Sequence, residues 1–309
     1  MTGEHSWRIA ARCDQLRLRA DMLQAVRRFF EERDFLEVET PLLIPAPAPE
    51  VHIDAVAAGD WFLQTSPELC MKRLLAAGYR RIYQICKCFR DKERGARHLP
   101  EFTILEWYRA DADYLTLMDD CEDLIATVAA RLGISGFVSR QGRPLNLERP
   151  WGRITVGEAF LRYAGMEVAE ALSADCFEEL LTARVEPQLG VDAPVFLYDY
   201  PREQGALARL KDGDPNIAER FELYLDGMEI ANAFSELADA DEQRRRFEDA
   251  SREREKNGSL AYPVPEPFLD ALPQMPPSAG IALGVDRLAM FFAGKKRIDE
   301  VVAFTPEFL

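Results

Sequence analysis

Residues 81–109 read RIYQICKCFRDKERGARHLPEFTILEWYR. Two runs, 81–90 and 102–109, have the composition of strands, and the stretch that joins them is long and charged. On a strand alternate side chains share a face. Phe102, Ile104, Glu106 and Tyr108 therefore point one way, and Thr103, Leu105, Trp107 and Arg109 the other. A glutamate among apolar neighbours on one strand face is costly to bury without a partner. Arg90 ends the first strand and His98 lies in the link, so both can reach toward the face that carries Glu106. Arginine grips phosphate with a planar fork, and an aromatic ring offers a base a stacking surface. Taken alone, an ordinary hairpin with a solvated loop explains this pattern as well as an anion site does.

Outward from this pair, Asp14 is expected to cap a helix running to about Arg33, with Leu18, Met22, Val26 and Phe29 at helical spacing. The proline-dense TPLLIPAPAPE, residues 40–50, must be extended or turning. Ser66 and Pro67 read as an N-cap and a first helical residue, with Gly78 as the stop. Met118, Cys121, Ile125, Val128 and Leu132 mark another helix, ended by Gly133. Asp226-Gly227 between FELYL and MEIANAF is a hairpin signal. A charged helix follows over 240–256, and a proline-rich loop leads into GIALGVDRLAMFF, residues 280–292. The mixture predicts an α+β fold with an antiparallel sheet rather than repeating βαβ units. The stretch 135–195 shows no clear pattern.

The hairpin suggests chemistry. A two-residue turn at Asp226-Gly227 sets Tyr224 opposite Glu229, which leaves Glu222 one diagonal step away, about 7–8 Å, on the same face. Like charges so close call for a cation, and carboxylates together with substrate phosphates are the usual seat of Mg²⁺. A solvent-facing acidic pair is the competing explanation. Glu236 has the opposite parity to Glu229, so both line one pocket only if the strand bulges or ends between them. Gly280, Gly284 and Asp286-Arg287 sit at a strand-to-helix transition, where glycine allows close approach and arginine adds to an anionic site.

Composition narrows the classes. The chain has 309 residues, 48% of them hydrophobic, and can bury a large core. Its 53 acidic and 38 basic residues give a net charge of −15, which repels phosphate backbones on average and counts against a tRNA partner. The six cysteines form no CxxC pair, and His5, His52 and His98 are too scattered to suggest zinc. The opening MTGEHSWRIA lacks an apolar signal core and no run is long enough to span a membrane, so a cytoplasmic location is expected.

In this order, the pieces resemble the three signature motifs of the class II aminoacyl-tRNA synthetases. Phe35–Pro41 (FLEVETP) looks like motif 1, Phe89–Glu106 like motif 2, and Gly284–Arg287 (GVDR) like motif 3. The resemblance runs from about residue 15 to the C-terminus. It implies a catalytic domain with an antiparallel sheet flanked by helices, a homodimer formed through motif 1, and ATP bound in a bent conformation. Arg90 would hold the α-phosphate, His98 and Arg287 the γ-phosphate, and Phe102 would stack on adenine. Glu222 and Glu229 would bind the Mg²⁺ that bridges the phosphates. Arg90 and Arg287 would be the catalytic pair.

Within the class, TSPELCMKRLL, RHLPEFTILEWY, ERFELYLDGMEIANAFSEL and GVDRL are similar to lysyl-tRNA synthetases. The resemblance gives Glu68 to the substrate's α- or β-ammonium, and Glu106, Tyr108 and Glu236 to its ε-ammonium, with Asn232 and Phe234 shaping the pocket. An aliphatic diamine needs such carboxylates, because a buried unpaired ammonium is prohibitive. Three departures from the lysyl enzymes stand out. Motif 1 begins near residue 35, leaving no room ahead of it for an anticodon-binding domain, so residues 1–309 are expected to be a single catalytic domain. Ala282 replaces a usual glycine, and PREQGALARL departs from the usual loop. All three resemble the short bacterial paralogues, the elongation factor P–(R)-β-lysine ligases. The expected activity is AMP-forming activation of (R)-β-lysine, with lysine a poorer substrate, and transfer to a lysine of elongation factor P. The alternatives are a minimal lysyl-tRNA synthetase, an asparagine synthetase-like amide ligase, and a non-catalytic regulatory paralogue. In motif 2, Lys92 stands where glutamate is usual and Glu93 follows, which leaves Glu93 without an assigned role.

Overall fold

The computed structural model describes residues 9–140 and 142–309; His5 and most of the opening decapeptide lie outside them. One sheet carries nine strands: β1 (Leu36–Glu37), β2 (Arg81–Phe89), β3 (Glu101–Ala110), β4 (Gly152–Thr155), β5 (Val195–Pro201), β6 (Leu210–Lys211), β7 (Asp214–Leu225), β8 (Met228–Ser235) and β9 (Ser278–Gly284). Their order is β1-β2-β3-β9-β8-β7-β5-β4, with β6 beside β7. The sheet is antiparallel through its centre, as expected, but not at its edges. There β1 runs parallel to β2 and β4 parallel to β5. Both added strands are four residues or shorter, too brief to carry a readable alternation.

The principal helices are α1 (Cys13–Glu31), α2 (Glu68–Ala76), α3 (Tyr114–Arg131), α4 (Ala240–Lys256) and α5 (Val285–Phe292). The N-terminal one needs correction: Arg12 is its cap residue, Asp14 lies in the first turn without capping, and the helix ends at Glu31 instead of Arg33. Helix α2 starts one residue later than expected, yet the Ser66 hydroxyl still accepts from the Glu68 N–H at 3.0 Å. Helix α3 is capped by Asp113, whose carboxylate accepts from the Thr116 N–H.

The period-2 pattern sorts the central strands into two faces. Leu105 and Trp107 of β3, Ala279, Ile281 and Leu283 of β9, Ala231 and Ala233 of β8, and Phe221 and Leu223 of β7 enter one core with residues of α1, α3 and α5. Removing this apolar surface from water, at about 25 cal/mol per Å², is what holds the helical layer to the sheet. The opposite face carries Ile104, Glu106 and Tyr108, Gly280 and Ala282, Asn232 and Phe234, all lining one cavity. One face therefore stabilises the fold and the other is left to bind.

The hairpin register follows the turn and then departs from it. Asp226 and Gly227 both have positive φ, 53° and 63°, as a tight two-residue hairpin turn requires. Leu225 pairs with Met228 and Tyr224 with Glu229, but the next pair is Leu223 with Ala231, so Ile230 is an extra residue in a bulge. The bulge reverses parity along β8. Glu229 now shares a face with Asn232 and Phe234, which removes the conflict between Glu229 and Glu236.

Residues 154–224 contribute a second core around Phe160 and Phe177, whose rings stack at 4.7 Å. The helical runs here, 156–164, 168–173 and 177–188, change their winding between α, π and 3₁₀ within a few residues, so no single period of 3.6 runs through 135–195.

Candidate active site

A cavity of about 320 Å³ opens on the binding face between β3, β7, β8 and the start of α5. Arg90, His98, Phe102, Glu222, Glu229 and Arg287 all line it, together with Glu93. Arg90 leaves the end of β2 and lies over the Phe102 ring at 5.0 Å, with Glu93 at 3.8 Å. Arg287, in the first turn of α5, donates to the Glu229 carbonyl at 2.9 Å and to its carboxylate at 3.1 Å. It also contacts His98 Nε2 at 2.6 Å. Guanidinium has no acceptor, so Nε2 accepts and the ring proton is assigned to Nδ1. Burial and then the Arg287 charge lower the His98 pKa, so the free ring stays neutral near pH 7.

Asp286 fixes this corner. Its carboxylate accepts from the Thr103 N–H at 2.7 Å and from Arg19 at 2.5 Å, which ties α5 to β3 and α1. Arg220 plays a similar part across the cavity, donating to Glu222 at 2.5 Å and to the Asn232 side chain at 3.1 Å. Tyr224 donates to the other Glu222 oxygen at 2.6 Å.

The carboxylates suit a hard cation. Burial raises the Glu222 pKa, and neighbouring Glu229 adds to the rise against the pull of Arg220. Burial also raises Glu186, with Glu222 and Glu229 adding to it. For Glu229, burial pushes upward but the contacts with Arg287 outweigh it and hold the group low. Crowded oxygen donors of this kind fit Mg²⁺ shared with substrate phosphates. Among the described residues no group of three or more His, Cys, Asp or Glu side chains could hold a metal ion without such help.

A smaller cavity of about 80 Å³ adjoins the first and shares Glu50, Arg90, Ile104, Asn232 and Ala282 with it. Glu68, Glu106, Tyr108, Asn232, Phe234 and Ala282 line it. Ser66 donates to one Glu106 oxygen at 2.6 Å and Tyr108 to the other at 2.9 Å. Ala282 sits on the floor, paired across the sheet with Asn232 on one side and Glu106 on the other. Burial, and then the charge of Glu68, push Glu106 up to about 8. Glu236 is likewise raised to about 8, chiefly by burial, with Lys72 opposing.

Glu236 is absent from the lining of both cavities. It stands behind Gly280 and forms an ion pair with Lys72, which also pairs with Glu68 at 2.6 Å and lies over the Phe234 ring at 5.1 Å. Lys72 is 1% exposed, yet its partners keep its pKa raised against the burial that would lower it. Glu68, Glu106 and Glu236 with one lysine leave a net charge of −2 when all are ionised, a charge that two ammonium groups would balance.

The family model for "tRNA synthetases class II (D, K and N)" matches residues 6–307. The chain belongs to the class II tRNA synthetase family. Within it, the chain is similar to proteins named elongation factor P–(R)-β-lysine ligase. That of Erwinia tasmaniensis is 40% identical over 99% of each chain. That of Yersinia enterocolitica is 39% identical over 98% of each, and that of Salmonella arizonae 38% over 99% of each.

In this class II domain the motif 2 and motif 3 residues meet, although nearly two hundred positions separate them: His98 and Arg287 are 189 apart in sequence. Lys72, Arg220 and Glu50 were not anticipated. Lys72 stands four residues after Glu68 on one helix face, and Arg220 two before Glu222 on one strand face, so both pairings had a local signal. Glu50 follows a run of prolines and had none.

Proposed function

We propose that this protein makes the adenylate of (R)-β-lysine from ATP, accepts lysine less well, and transfers the aminoacyl group to a lysine side chain of translation elongation factor P. The observation that carries this reading is the shared wall of the two cavities. A pocket with arginine, histidine and aromatic chemistry for a nucleotide meets a carboxylate-lined pocket for a diamine, and Arg90 borders both. The names of relatives near 40% identity over almost the whole chain point the same way.

In the first step the amino acid's carboxylate attacks the α-phosphorus in line and pyrophosphate departs. Arg90 stabilises the charge that grows on the α-phosphate, and Arg287 with His98 steadies the outer phosphates. Mg²⁺ held by Glu222 and Glu229 would neutralise the departing pyrophosphate. Glu68 and Glu106 orient the two ammonium groups, while Tyr108 and Ser66 keep Glu106 aimed. The Ala282 methyl, between Asn232 and Glu106, adds volume where the carbon next to the carboxylate lies, and favours a shifted amine. One methyl contributes only about 1–3 kcal/mol of discrimination, which leaves lysine as a poorer substrate.

A homodimer and a cytoplasmic location belong to this reading. Leu36, Leu42, Leu43 and Trp61, in and beside the motif 1 segment, are each 41–51% exposed, apolar surface of the kind a second subunit would cover. No helix among the described residues is long and apolar enough to cross a membrane.

The deciding experiment offers labelled (R)-β-lysine or lysine, with Mg-ATP, to elongation factor P and to total tRNA in separate reactions. Label on elongation factor P, stronger with (R)-β-lysine, supports the proposal. Label on tRNA alone makes the enzyme a lysyl-tRNA synthetase, and label on neither removes elongation factor P as partner.

A further inference from the structure

Glu50 is the single residue that lines all three principal cavities: the nucleotide cavity, the amino-acid cavity, and an outer groove of about 730 Å³. The groove's walls include Arg202, Glu203 and Asp249, all exposed, so it faces solvent. Every other carboxylate around the two inner cavities is engaged. Glu68 pairs with Lys72, Glu93 with Arg90, Glu222 with Arg220, Glu229 with Arg287, and Asp286 with Arg19. Glu106 accepts from Ser66 and Tyr108. The Glu50 carboxylate takes no hydrogen bond and no ion pair from the described residues.

Its backbone, in contrast, is held firmly. Arg254 is 0% exposed and donates to the carbonyls of Glu50 at 2.7 Å and Ile53 at 2.8 Å, and to the Asp54 carboxylate at 2.7 Å. A buried arginine thus fixes the loop while leaving its one inward carboxylate uncommitted. Such placement has no evident use in the first half-reaction, where the attacking group is already an anion.

The second half-reaction does need a proton acceptor. A lysine amine with a pKa of about 10.4 is almost wholly protonated at pH 7 and has no lone pair to attack with. We propose that Glu50 is the general base of aminoacyl transfer, taking a proton from the acceptor's lysine ammonium as that side chain enters from the outer groove. This role rests on the transfer reaction proposed above. The ammonium gives one proton to the Glu50 carboxylate, and the freed pair forms the C–N bond to the adenylate's carbonyl carbon. The C–O bond to the phosphate then breaks, AMP leaves with that pair, and the second proton on nitrogen passes to water.

The surroundings favour the task. Burial raises the Glu50 pKa, which strengthens it as a base, and the charges facing it are Arg90 and Arg220, opposed by Glu68 and Glu93. Arg90, proposed above to act on the α-phosphate, lines the same two inner cavities as Glu50.

The test is Glu50→Gln, followed through both half-reactions. Adenylate formation is read by ATP–pyrophosphate exchange, and transfer by single turnover of the preformed adenylate, to elongation factor P and to hydroxylamine, which is already neutral at pH 7. The expected result is a fall in protein transfer of about 10²- to 10⁴-fold, well beyond any fall in adenylate formation. The transfer rate of the variant should rise about tenfold per pH unit toward the lysine pKa, and hydroxylamine should recover most of the wild-type rate. Equal losses with both acceptors, or no loss with the protein, would overturn the role of Glu50. Failure of the wild-type enzyme to form the adenylate, or to label elongation factor P, would instead overturn the activity on which it depends.

Discussion

Gly280→Ala is the smallest change that should separate the two cavities functionally. An ideal Cβ at this position would lie 2.2 Å from Tyr108 Cε1 and 2.3 Å from Glu236 Oε1. Carbon atoms pack at about 3.5–4.0 Å, so the Tyr108 ring must retreat by about 1.3–1.8 Å or β9 must move with it. Tyr108 donates to Glu106 at 2.9 Å, and Glu236 is anchored by Lys72, so neither neighbour moves without breaking something. Loss of a hydrogen bond to a charged group costs about 1.5–3 kcal/mol, equal to about 10- to 150-fold in the affinity for the amino acid. Overpacking adds about 1–3 kcal/mol of instability. Gly280 does not border the nucleotide cavity. Amino-acid-dependent pyrophosphate exchange should therefore show a KM for (R)-β-lysine raised by that factor, with the KM for ATP changed less than about threefold. An unchanged KM for the amino acid together with an unchanged Tm would refute the packing argument, because the methyl would then have found room that the geometry denies.

Three further outcomes are expected. Arg90→Ala should lower adenylate formation by at least about 10²- to 10³-fold, as when a transition-state donor is removed, and pyrophosphate exchange within a few-fold of wild type would take Arg90 out of the reaction. Lys72→Met leaves Glu236 buried without its cation; the loss of about 3–5 kcal/mol in urea unfolding at high pH should shrink as the pH falls through about 8, where Glu236 protonates, and a loss that is the same on both sides of that value would contradict the pairing. Glu106 and Glu236, both raised to about 8, hold protons in the fold that the unfolded chain releases above about 4.5. Their contribution to stability should thus fall by up to about 1.4 kcal/mol per pH unit per group between these values, Glu106→Gln should flatten the profile, and bound diamine should restore stability at pH 8. Unfolding midpoints at pH 5, 6.5 and 8 check this, and parallel profiles for wild type and Glu106→Gln would sink it.

Much of the site was readable because its signals are local. Alternation along 102–109 separates Glu106 and Tyr108 from Leu105 and Trp107, and the structure sends the first pair to a cavity and the second to the core. Asp226-Gly227 dictates a tight turn through two positive φ angles, and so the first rungs of the hairpin. The expected position of Glu236 on the pocket wall was only part of the story. Its carboxylate is in the right region, but Lys72 of α2 has taken it, and a side chain's partner depends on what a distant helix brings near.

The sequence by itself determined the strand faces, the hairpin turn, most helix positions and the chemical types that line the two inner cavities. Each follows from periods of 2 or 3.6 residues or from the φ demands of a turn, which are set by neighbours along the chain. Only the tertiary structure decided the Ile230 bulge that puts Glu229 and Asn232 on one face, the parallel edge strands, the closure of His98 on Arg287, and the loop that sets Glu50 where three cavities meet. These depend on pairing between segments far apart in sequence, where the favourable register is chosen by the packing of the whole sheet against its helices.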